Sequence, residues 1–286
     1  LGINNKSSVI TSTNSFIAST NCILMTGAKP ILCDIKPEDG NIDISSTDEK
    51  ADAIIPVHIY GNPCDFDSIR RMSEESKIPI IEDACQAHGA KYFGKKVGSL
   101  GDVGCFSFYP TKNMTVGGDG GMITTNNEEI QSEVISLRDN GRKSHTTHDK
   151  LGFTMRLNTV NAAIGRIQLG HLDERNSRRQ KIAELYKKHL SEDYFLIENP
   201  NGSSVFHQII FRHKKRDDIM EHLSKNGIGT TIHYPIPIHK QPLYSYLNLT
   251  LSISEEFSNQ VLSLPSYPQL SDDDVKFVCE TISQIL

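Results

Sequence analysis

The sequence predicts an α/β protein: a mostly parallel central sheet flanked by helices, followed by a smaller C-terminal α+β domain. Short apolar, β-rich runs alternate with segments of helical spacing through the first 125 residues, the pattern of strands joined by crossover helices. Two of those runs also deliver polar residues where a buried strand should end. The run Ile78–Ile81 leads into Glu82 and Asp83, with Gln86 three residues on. Val103–Phe108 carries Ser107 and is followed by Pro110, Thr111, Lys112 and Asn113, then by the glycine-rich turn Gly117–Gly121. Ligands collect at the carboxyl ends of parallel strands, so a carboxylate, an amide, a hydroxyl and a lysine are expected around one pocket.

Taken in order, Ser8–Ser12 reads as a strand, and Asn14–Gly27 as a helix capped by Asn14 and stopped by Gly27. Lys29–Ile35 and Asp52–His58 are the next strands, the second closed by Tyr60-Gly61-Asn62-Pro63. Asp65–Ser76 has helical spacing through Phe66, Ile69 and Met72. Ile78–Asp83, Val103–Phe108 and Met122–Thr125 continue the sheet, and Asn127–Asp139 is a helix before the polar loop Asn140–Lys150. Asn158–Leu190 keeps helical periodicity without proline, with a break expected near Gly170. From Ser191 onward, β-rich runs at Val205–Arg212 and Thr230–His233 mix with helices at Lys215–Lys225 and Ser271–Ile285. The expected division is a large domain over residues 1–170, then a connecting helix and small C-terminal domain over 171–286.

A length of 286 residues leaves ample material for a core. Thirty Lys and Arg against 35 Asp and Glu give a net charge of −5 with no basic stripe, so nucleic-acid binding is not expected. No stretch has the roughly 20 apolar residues of a membrane helix. The six cysteines form no CxxC pair, so neither a metal site nor a disulfide framework is expected; buried free thiols in a reducing cytoplasm fit. Nothing at the start resembles a signal peptide.

The segments EDACQAHGA (82–90), GKKVGSLGDVGCFSFYPTKN (94–113) and GDGGMITT (118–125) resemble the core of the DegT/DnrJ/EryC1/StrS aminotransferases. PVHIYGNPCDFDSI (56–69), NAAIGRIQL (161–169), GIGTTIHYPIPIH (227–239) and LSLPSYP (262–268) extend the resemblance nearly end to end, in family order. The resemblance implies fold type I, pyridoxal 5'-phosphate as cofactor, and amino transfer to nucleotide-linked sugars with an amino acid, L-glutamate, as donor. It also implies a homodimer with shared active sites. It places Leu1 inside the family's large domain, so several dozen family residues, including a Ser-Gly-Thr phosphate-binding turn, are expected upstream of it.

On that resemblance Lys112 is the lysine that holds the cofactor as a Schiff base and then shuttles a proton; a surface lysine is the ordinary alternative. Asp83 faces the cofactor's pyridine nitrogen, where spacing alone would equally allow a strand-end or helix-capping carboxylate. Gln86 reaches the ring hydroxyl and Ser107 the phosphate, against an exposed amide and a backbone-satisfied serine. Phe16 stacks on the ring or simply packs in the core. In the family's Gly-aromatic-Asn-aromatic-Arg-Met stretch the Asn reaches the partner subunit's phosphate; here Gly152-Phe153-Thr154-Met155-Arg156-Leu157 puts Thr154 at that place. Arg156, His233 and His239 are candidate substrate contacts, with a structural ion pair and structural histidines as alternatives.

The function expected is therefore a cytoplasmic sugar-nucleotide aminotransferase. A dehydratase of the same family is a rival that Lys112 disfavours, because that branch carries histidine there. A non-catalytic or fragmentary relative is the other.

Overall fold

The computed structural model describes residues 1–286. Its strands are Ser8–Ser12 (β1), Lys29–Cys33 (β2), Ala53–Ile55 (β3), Ile81–Asp83 (β4), Lys91–Tyr92 (β5), Lys95–Lys96 (β6), Val103–Ser107 (β7), Gly121–Thr124 (β8), Gly202–Ser203 (β9), Ile209–Arg212 (β10) and Val261–Leu264 (β11). The helices are Ala18–Met25 (α1), Phe66–Ser76 (α2), Glu128–Leu137 (α3), Thr159–Gly170 (α4), Leu172–His189 (α5), Arg216–Lys225 (α6), Ser252–Ser258 (α7) and Asp272–Ser283 (α8).

The central sheet runs β2-β1-β3 and β4-β7-β8. The halves join where Ile54 meets Ile80 and Val57 meets Asp83 in single parallel bridges. All neighbours are parallel except β7 and β8. Val9, Ile10, Ile31, Ala53 and Ile54 are at most 3% exposed, so these strands are covered on both faces and read as unbroken apolar runs. The four parallel strands β1, β3, β4 and β7 therefore deliver residues 13–19, 58–60, 83–86 and 107–112 to one edge of the sheet. β10 and β11 form a separate antiparallel pair, and β9 joins β5 and β6 in a small third sheet.

Caps follow local sequence at four helices. Asp65, Asn127 and Asn158 accept amides in the first turns of α2, α3 and α4, and Ser271 with Asp274 closes a capping box on α8. The helical run 158–190 does break beside Gly170, at His171. A core around Ile182, Tyr186, Phe211, Leu223, Leu262 and Val278 holds α5, α6, α8 and the β10-β11 pair together.

Four expectations change. Asn14 caps nothing: α1 begins at Ala18, while the Asn14 amide donates to the Gly40 carbonyl at 2.9 Å and reaches the Tyr60 hydroxyl. Thr230–His233 is not a strand; it touches the sheet only through the bridge from Thr231 to Ser263, and β11 takes the strand position. β4 is shorter than the run Ile78–Asp83. Cys22 is exposed, whereas Cys33, Cys64 and Cys279 are buried; all six thiols are free.

Candidate active site

At the end of β4, Asp83 sits half-buried with both carboxylate oxygens engaged. Oδ2 accepts the Ser19 hydroxyl at 2.7 Å, and Oδ1 accepts the Cys85 backbone N–H at 3.1 Å. Gln86, 5% exposed, turns its carbonyl to the Tyr60 N–H (2.7 Å) and its amide to the Tyr234 hydroxyl (3.1 Å). Its second amide proton is uncommitted. Tyr60 holds a left-handed backbone (φ 59°), and its hydroxyl donates to the His233 carbonyl at 2.5 Å. Gln86 thus ties together three segments that come from different parts of the chain.

From the neighbouring strand, Ser107 ends β7 and its Oγ accepts the Tyr109 N–H at 3.2 Å. A tight turn follows, closed by the Lys112 N–H on the Tyr109 carbonyl (2.9 Å). The Lys112 amine is half-buried and enters no hydrogen bond or ion pair. Burial holds its pKa below the ordinary lysine value, with the negative charge of Asp83 among the opposing influences. A desolvated amine without a partner is chemically available.

The next residue anchors that turn. The Asn113 amide donates to Asn176 Oδ1 and to the Val205 carbonyl, both at 3.0 Å, while its oxygen meets His207 Nδ1 at 3.2 Å. Asn176 of α5 donates in turn to the His88 carbonyl. His88 lies between Phe106 and Phe108; neither ring nitrogen has a partner, and burial pushes its pKa down to about 4. Sequence reading assigned no role to Ser19, Tyr60, Asn113, Asn176 or His207. His88, Asn113 and Tyr60 fall within the quoted motifs, but what they touch is set by distant segments.

Beside the lysine turn a cleft is lined by the polar side chains of Thr111, Gln208, Thr230, Thr231, His233 and Ser263 together with Leu264 and Pro265. His233 Nδ1 pairs with Ser263 Oγ at 2.8 Å on that wall. His239 is elsewhere: its side chain is fully enclosed, with Nδ1 on Thr13 Oγ1 (2.7 Å) and Nε2 on Glu255 (3.1 Å), so no nitrogen is left for a substrate. Phe16 is 57% exposed, its ring 6.4 Å from that of Tyr234. Thr154 and Arg156 lie on an exposed surface segment, Thr154 donating to Asn140 Oδ1 at 2.9 Å and Arg156 paired with Asp139 at 3.1 Å. Neither bonds to Asp83, Gln86, Ser107 or Lys112.

The model of the DegT/DnrJ/EryC1/StrS aminotransferase family matches residues 1–283. The chain belongs to that family. Among DegT/DnrJ/EryC1/StrS relatives, it is 40% identical over 285 residues to the dTDP-3-amino-3,6-dideoxy-alpha-D-galactopyranose transaminase of Aneurinibacillus thermoaerophilus, covering 96% of this chain and 78% of that one. It is 38% identical to a protein of Geobacillus stearothermophilus named pleiotropic regulatory protein, covering 99% and 79%. The crystal structure of S. venezuelae DesV in complex with a ketimine intermediate superposes with a TM-score of 0.95 at 34% identity, over 99% of this chain and 79% of that one. No helix of this member is long and apolar enough to cross a membrane.

Proposed function

We propose that this chain is a pyridoxal phosphate-dependent aminotransferase that moves an amino group from L-glutamate to a keto group of a nucleotide-linked sugar. The observation that carries the reading is the unpartnered, desolvated Lys112 amine, set beside Asp83 and Ser107 at the carboxyl ends of adjacent strands. The named transaminase at 40% identity supports the substrate class.

The residues present fit pyridoxal phosphate. Lys112 supplies an amine, Asp83 an acceptor for a ring N–H, Gln86 a spare amide proton for the ring oxygen, and Ser107 a hydroxyl for the phosphate; Phe16 is free to cover a flat ring. When bound, the cofactor supplies an electron-accepting ring that stabilises negative charge on the carbon next to the transferred nitrogen. With the cofactor bound, Lys112 Nζ would take the proton from the donor's α-carbon. A lowered pKa keeps more of that amine neutral and basic at neutral pH. Asp83 holds the ring-nitrogen proton in place throughout. The net change leaves the donor as 2-oxoglutarate and turns the sugar's keto group into an amine. The cleft beside Lys112, with Thr230, Thr231 and His233 on its wall, suits a hydroxyl-rich substrate, and the enclosed His239 takes no part in binding it.

The same reading takes residues 1–170 as the cofactor-binding domain and 171–286 as the connecting helix and small domain. It takes the protein as a cytoplasmic homodimer serving sugar-polymer biosynthesis. Six free thiols suit a reducing compartment. Leu151, Met155, Val160 and Ile167 are each at least 63% exposed, and burying such side chains against a second copy is favourable. Thr154 and Arg156 then face the partner's site rather than their own.

The test is the first half-reaction. Mixed with pyridoxal phosphate and L-glutamate, the purified chain is expected to release about one equivalent of 2-oxoglutarate per site, and Lys112→Ala almost none. No 2-oxoglutarate from the parent chain, or equal release by the variant, would overturn the reading.

A further inference from the structure

Asp83 is not held by its own strand alone. Ser19, at the second position of α1, is 6% exposed and places its Oγ 2.7 Å from Asp83 Oδ2; Ser15, 4% exposed, places its Oγ 2.7 Å from that of Ser19. A carboxylate only accepts, so the single Ser19 proton points to Asp83. Ser15 must then donate to Ser19, which gives the chain of hydroxyls one direction, from Ser15 to Ser19 to Asp83. Burial removes competing water and strengthens each link. The terminal torsion of an aspartate is broad and soft. With Ser19 on one oxygen and the Cys85 N–H on the other, the plane of the Asp83 carboxylate is fixed from both sides.

We propose that Ser19, backed by Ser15, is a positioning residue for Asp83, setting the carboxylate plane that meets the ring nitrogen of the cofactor; this rests on the cofactor reading above. The same short segment carries Phe16, whose carbonyl accepts the Ser19 N–H at 3.1 Å. One turn of chain thus positions both the group at the ring's edge and the aromatic expected over its face.

The experiment measures equilibrium affinity for two ligands, pyridoxal phosphate and its 1-deaza analogue, in which the ring nitrogen is replaced by CH. The proteins are the parent chain, Ser19→Ala, Ser19→Thr and Ser15→Ala. Ser19→Ala is expected to bind pyridoxal phosphate about tenfold more weakly while holding the analogue within about twofold, because only the first ligand uses Asp83 at its ring edge. Ser19→Thr keeps the hydroxyl and restores the parent value; Ser15→Ala shows a smaller loss in the same pattern. Equal losses for both ligands, or no loss for either, would overturn the proposal. Should Ser19→Ala fail to fold, Ser15→Ala with Ser19→Thr decides it on the same criterion. A parent chain that binds pyridoxal phosphate no better than the analogue contradicts the ring-nitrogen contact. One that binds neither contradicts the cofactor reading itself, and this proposal with it.

Discussion

Lys112 and Asp83 come from neighbouring parallel strands, and their local settings differ in a way the chemistry uses. The lysine is desolvated and unpartnered; the aspartate is gripped by two donors. An amine that must attack and abstract gains from freedom, and a carboxylate that must hold a proton at one atom gains from rigidity. Asp83→Asn keeps the shape and removes the charge. It is expected to bind the cofactor at least as weakly as Ser19→Ala does and, at saturating cofactor, to slow single-turnover consumption of L-glutamate by about a hundredfold or more, read by stopped-flow absorbance. A rate equal to the parent's would make Asp83 a structural residue. At this scale the sequence made strand-end residues legible because a short apolar run has to stop somewhere. It hid Ser19, because an ordinary serine in a helix shows nothing of the strand it will face. It also misjudged His239, since a histidine enclosed by Thr13 and Glu255 looks the same in sequence as one lining a cleft.

Among the elements, β4 is held by the residue just before Asp83. Glu82 is fully buried, and its carboxylate accepts the N–H groups of Gly98 (2.6 Å), Leu100 (2.6 Å) and Gly101 (2.7 Å) and the His58 Nε2–H at 3.1 Å. His58 Nδ1 accepts the Cys64 N–H, which places the ring proton on Nε2. Only glycine fits at 98: its φ is +82° and an added Cβ would lie 2.3 Å from the Phe106 ring. Burial alone would raise the Glu82 pKa, but His58 and the loop amides outweigh it and hold it below the ordinary 4.5. A depressed carboxylate contributes stability that is present in full above 4.5 and is lost as pH falls through the lower folded value. Glu82→Gln should therefore cost about 3 kcal/mol at pH 7 in urea unfolding, with the gap to the parent narrowing below pH 4.5. A gap constant with pH would show that the charge is not what clamps the loop. Local sequence revealed the helices whose caps lie next to them, such as Ser271 before α8. It missed α7, whose first amides at Ile253 and Ser254 are accepted by Asp34, 219 and 220 residues away in the chain.

Over the whole molecule, alternation of strands and helices was enough to read the α/β class, because each buried strand carries its apolar signature locally. The reversal of β8 and the pairing of β9 with β5 were not readable, since both depend on which edges meet after the chain has turned back. The proposed dimer is tested by complementation. Thr154→Val should weaken cofactor affinity by about 1–3 kcal/mol, the worth of one buried hydrogen bond. Heterodimers of Lys112→Ala and Thr154→Val protomers should regain activity, because one of their shared sites carries neither defect. Unchanged affinity in Thr154→Val, or full activity from a verified monomer, would leave Thr154 a surface residue. The identity of the lysine can be measured directly, without the sugar substrate. The chain is loaded with pyridoxal phosphate, reduced with borohydride, digested and mapped by mass spectrometry. The cofactor is expected to be fixed on Lys112 and on no other lysine, with L-glutamate added before reduction preventing it. Label spread over several lysines, or none on Lys112, would contradict that assignment.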